Sequence, residues 1–79
     1  MLTLFLVKRR ANPQLPDYDT LVACVVAART PEEARLEAQR HKGDEGADVW
    51  MKPSTKVTVI GQAVPGLKAG LVCKDFTNG

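Results

Sequence analysis

Cysteine is scarce: Cys24 and Cys73 are the two in a chain of 79 residues. So few exclude a disulfide-framework protein and a four-cysteine zinc site. Their separation also lacks the CxxC spacing of redox and zinc motifs. Both lie in apolar runs without secretory context, so both are expected as free thiols. Histidine is scarcer. His41 stands alone, with no serine or cysteine partner fixed in sequence, and a place in the last turn of a helix explains it through the helix dipole. The aromatic residues are Phe5, Tyr18, Trp50 and Phe76, and none falls in a ribonucleoprotein motif. Gly61, Gly66 and Gly70 are scattered and match neither a phosphate loop nor a dinucleotide fingerprint. The longest apolar run, Leu21 to Ala28, falls far short of the roughly 20 residues that span a bilayer. The apolar start is followed, not preceded, by Lys8, Arg9 and Arg10, the reverse of a signal peptide. These absences predict no catalysis, no cofactor, no metal, no membrane partner and a cytoplasmic location.

What is present reads as one small domain, residues 1–79. Hydrophobic residues make up 44% and charged residues 25%, the balance of an ordinary globule and not of a disordered chain. A net charge of +2 is too small for a polyanion sponge. Lys8, Arg9 and Arg10 are contiguous, and Arg29, Arg35, Arg40 and Lys42 decorate the helix region. Without interleaved aromatics these clusters disfavour nucleic acid as the partner. A chain this short lies near the margin of independent stability.

The apolar pattern predicts the order β-β-α-β-β. Leu2 to Lys8 alternates as a strand, with Leu2, Leu4 and Leu6 on one face and Thr3, Phe5 and Val7 on the other. A loop from Arg9 to Asp17 carries Asn12-Pro13 and Leu15-Pro16. Tyr18 to Ala28 reads as the second strand, antiparallel to the first. Thr30-Pro31-Glu32-Glu33 is the clearest local signal. Threonine suits an N-cap, proline the first helical position, and Glu33 a capping box. The helix should run to His41 or Lys42 and end at Gly43. Pro31, Ala34, Ala38 and His41 share its inner face, and Leu36 points outward among Glu32, Gln39 and Arg40. Near Trp50 a short extended piece or a turn is expected, with Trp50 and Met51 partly buried. Lys56 to Gln62 and Leu71 to Asp75 complete an α+β domain: one mainly antiparallel sheet with a single helix on one face.

One helix covers one sheet face, yet both faces carry apolar residues. Loops with Trp50, a second copy of the chain in a homodimer, or another protein must cover the second face. Asp17 and Asp19 would share a strand face, and Asp44, Glu45 and Asp48 cluster in a turn. Neither group has calcium-loop spacing or a full ligand set, so both read as solvated.

A broader pattern joins these pieces. Tyr18-Asp19-Thr20, Val25-Val26-Ala27-Ala28 and Glu32-Glu33-Ala34-Arg35 are followed by Val59-Ile60-Gly61-Gln62-Ala63, Gly70-Leu71-Val72, and Phe76 before a final glycine. Across nearly the whole chain this resembles small proteins encoded by phages and prophages. Members often close on Ser-Phe-Asn-Ala-Gly, from which Asp75-Phe76-Thr77-Asn78-Gly79 departs. The resemblance implies a mobile-element accessory protein and carries over no site residues. Anti-CRISPR proteins are similar in size and in their want of catalytic motifs. The function expected is therefore non-catalytic, steric inhibition of a host defence complex, such as a CRISPR-Cas subunit. The expected contact residues are Glu32, Arg35, Leu36, Gln39 and Arg40. The alternatives are a nucleotide-signal sponge and a small nucleic-acid-binding regulator. In the sponge, Tyr18 or Trp50 would stack a base while Arg9, Arg10 or Lys52 meets phosphate.

Overall fold

Among the described residues, six elements follow one another: β1 (Thr3–Lys8), β2 (Thr20–Ala28), α1 (Pro31–Arg40), a 3₁₀ turn (Val49–Met51), β3 (Lys56–Gln62) and β4 (Gly70–Thr77). The structure, a computed structural model, describes residues 2–9, 20–43 and 49–77. The four strands form one open sheet in the order β3-β1-β2-β4, antiparallel at every junction. The expected α+β architecture is the one observed.

Alternation along β1 decides which face is dry. Phe5 and Val7 are buried, and they pair across the sheet with Val26 and Cys24, also buried. Ala34 and Ala38 of α1 close over them, both with no exposed surface. Alanine has almost no side chain, so the helix axis can approach the sheet closely. Thr30 caps the helix by accepting the Glu33 N–H at 3.1 Å on its Oγ1, and Pro31 opens the first turn. Losing such a cap costs about 1 kcal/mol.

Strict alternation fails at three places. Gly61 opposes Leu4 while Val59 opposes Phe5, so Ile60 is the extra residue of a bulge. Similar shifts leave Val22 extra on β2 and Val72 extra on β4.

Around Trp50 the expectations need correcting. Of the two forms expected for the segment, the turn is the one observed, a 3₁₀ turn; the corrections concern its side chains. Met51 is 44% exposed, so it is not part of the interior. Trp50 is wholly buried and packs with the core under α1, so it does not cover the opposite sheet face. The expected start of β2 at Tyr18, most of the first loop, and the acidic groups at Asp17, Asp19, Asp44, Glu45 and Asp48 lie outside the described residues.

Both cysteines are free, as expected. Cys24 pairs in register with Lys74, and Cys73 with Val25. Neighbouring positions on a strand face opposite ways, so the two thiols lie on opposite sides of the sheet. Burial pushes the Cys24 thiol from 9.0 up to about 11, with smaller help from the negative charge of Cys73 and of Glu37. Its folded-state pKa is raised, so the native fold holds the proton longer than the unfolded chain. The associated stability is intact below about pH 9 and is lost as pH rises toward about 11. Denaturant titrations at both pH values should differ by an extra 2 to 3 kcal/mol, roughly, that Cys24→Ala removes. An equal fall in that variant would assign the loss to other groups.

Candidate interaction surfaces

The outward stripe of α1 lies where the helical period places it. Glu32 and Arg40 are exposed and Gln39 is half-buried, while Leu36 is 52% exposed. Glu37 anchors the last turn: its carboxylate lies 3.4 Å from Arg40 Nη1 and 3.2 Å from His41 Nε2. Leu36 and Arg40 also line a shallow groove whose other wall is Ala69 and Gly70, at the start of edge strand β4. An exposed leucine with an arginine beside it, above an edge strand, is a surface that another chain can grip.

Arg35 has a different task. Its Nη1 donates to the carbonyls of Trp50 and Lys52, each at 3.0 Å, and Nη2 donates to the Thr55 carbonyl at 2.8 Å. One guanidinium thus ties α1 to the whole turn between Trp50 and β3. Thr55, fully buried, closes the same turn by donating its hydroxyl to the Val49 carbonyl at 2.6 Å. Arg35 therefore stands behind the contact stripe as its internal support. Thr55 had no sequence signal, because its role depends on a turn that only the folded chain creates.

The sheet face away from α1 carries Leu4, Leu6, Ala23 and Val25, with Cys73 exposed beside them. Register sets them in rows. At the end where β1 stops, Lys8 stands directly opposite Lys56, a like-charge pair of the kind that weakens a strand junction. Arg9, Pro53 and Ser54 join these lysines around an open hollow.

The ligand alternative fares unevenly. Trp50 offers no ring face to a base, because it is wholly buried. Arg9 is 7% exposed, and its Nε donates to the Leu21 carbonyl at 2.6 Å. The Lys52 side chain is exposed. Tyr18 and Arg10 lie outside the described residues. Among the described residues, no three His, Cys, Asp or Glu side chains gather as a metal site, and no helix is long and apolar enough to cross a membrane. Comparison with protein-family models, with curated proteins and with solved structures found no match.

Proposed function

We propose that this chain is a non-catalytic binding protein, a phage or mobile-element accessory factor that inhibits a host defence complex by covering part of its surface. The observation that carries this reading is Leu36, 52% exposed at the centre of the α1 stripe and bordering the groove against β4. A leucine held open on a well-capped helix, flanked by Glu32, Gln39 and Arg40, has the make-up of a protein contact: an apolar anchor with a charged rim. A CRISPR-Cas complex is the target of choice, as the phage-like sequence pattern suggests. Arg35 contributes by holding the helix in place.

The test is a plaque assay in hosts carrying a panel of CRISPR-Cas types, with a nuclease-treated pull-down beside it. The chain should raise the plating efficiency of a targeted phage and retain a Cas subunit stoichiometrically. Leu36→Asp combined with Arg40→Glu should abolish both while leaving the circular dichroism spectrum intact. No protection in any host, with the folded chain retaining no defence protein, rejects the reading. Thermal stabilisation by nucleotides that Lys8→Glu removes would then favour the ligand alternative, through the cationic hollow of Lys8, Arg9 and Lys56.

A further inference from the structure

The sheet face that α1 leaves open is patterned in charge from edge to edge. Antiparallel partners share a face. The register therefore lays Lys56, Lys8, Ala23 and Asp75 in one row across all four strands. The next row is Thr58, Leu6, Val25 and Cys73, and the third is Gly61, Leu4, Ala27 and Gly70. The first row is cationic at the β3 edge and anionic at the β4 edge, and the other two are apolar or small. Among the described residues, no ion pair involves Lys56, Lys8 or Asp75.

We propose that this face is closed by a second copy of the chain, sheet on sheet, about a two-fold axis parallel to the strands and running between β1 and β2. That rotation exchanges β3 with β4 and β1 with β2 while keeping every row at its own height. Lys56 of each copy then lies over Asp75 of the other, twice by symmetry. Leu6 comes over Val25, both half-buried in the single chain, while Ala27 in the third row is already buried within its own chain. A shallow hollow of about 220 Å³ beside Leu6, Ala23, Val25 and Cys73 lies beneath Leu6 of the other copy. Packed sheets are about 10 Å apart and turned by about 30°. That turn moves the outer strands by only a few ångströms, well within the reach of a lysine.

Charge selects this axis over the other. A two-fold running across the strands would lay the charged row over Gly61, Leu4, Ala27 and Gly70. Both lysines and the aspartate would then be pressed against apolar groups and lose hydration without a partner. The strand-parallel axis gives each Lys56 an opposite charge, keeps the apolar rows together, and leaves only Lys8, over Ala23 at the end of the sheet, without one. It also leaves both α1 stripes on the outside, so this inference does not rest on the target proposed above.

Sedimentation equilibrium or light scattering across a dilution series tests it, with the full chain throughout. Wild type should reach twice the 8.6 kDa chain mass. Lys56→Glu or Asp75→Lys alone sets like charges together at two related points and should raise the dimer dissociation constant about ten-fold. The double variant, Lys56→Glu with Asp75→Lys, should return to within about three-fold of wild type, because each pair is restored with its signs exchanged. Both side chains are exposed, and circular dichroism checks that each variant keeps the fold. A monomer at every concentration up to the solubility limit overturns the proposal. So does a dimer indifferent to both single reversals, and so does a double variant as weak as the single ones.

Discussion

Trp50→Ala should leave the chain largely unfolded at room temperature. The side chain is fully buried, and it fills the space between α1 and the inner face of the sheet beside Ala34 and Ala38. Those alanines cannot expand to occupy the gap, so the cavity persists. A buried aromatic ring removes about 150 to 250 Å² from water, and truncating one to alanine costs about 3 to 5 kcal/mol. Whole domains hold about 5 to 15 kcal/mol, with short chains near the bottom of that range. The loss is therefore comparable with everything available. Trp50→Phe keeps most of the volume and should cost less than half as much. Urea unfolding followed by far-ultraviolet circular dichroism gives the comparison without relying on the deleted fluorophore. An alanine variant within about 1 kcal/mol of wild type would mean that the ring contributes little to the core.

Arg35→Ala should come second, at about 2 to 4 kcal/mol. Three carbonyls depend on this one side chain, those of Trp50, Lys52 and Thr55, and two of the bonds are part-buried. Removing the guanidinium strands acceptors that water reaches poorly, and an unmet buried acceptor costs more than the net value of the bond. Arg35→Lys separates charge from shape. An ammonium is a point donor and cannot span three carbonyls as the planar fork does. Lysine should thus recover less than half of the loss. Full recovery would show that positive charge alone holds the turn. The Trp50 and Arg35 effects should also be strongly non-additive in a double variant, since both act on the same segment.

Local chemistry was legible where neighbours in sequence decide the outcome. Thr30 to Glu33 announces the helix start, the spacing of Ala34 and Ala38 its inner face, and Leu36 its outer one. The strand at Lys56–Gln62 was equally plain from its β-branched run. Bulges were not legible, because an extra residue at Ile60, Val22 or Val72 breaks the two-residue period that the reading relies on. Val59 illustrates a second gap. Its partner Phe5 is buried, yet Val59 is 63% exposed, because α1 lies over the central strands and leaves the β3 edge bare. The task of Arg35 was hidden for a third reason: its acceptors lie 15 to 20 residues away, and nothing in a basic helix residue declares which carbonyls it will meet. Likewise, the row from Lys56 to Asp75 exists only once the strand order is known.

The strand order also governs when the fold can form. β1 is translated first, yet it is a central strand that needs β2 on one side and β3 on the other. β2 follows within one loop, whereas β3 arrives only after the helix and the 3₁₀ turn have been made. A nascent chain therefore carries one flank of β1 unpaired until β3 has been made. Closing so long a loop is slow, and an unpaired strand in the meantime can recruit other chains. On the ribosome, truncations that end before Gln62 should be the forms that need a chaperone, while those that lack only β4 keep β1 paired on both sides.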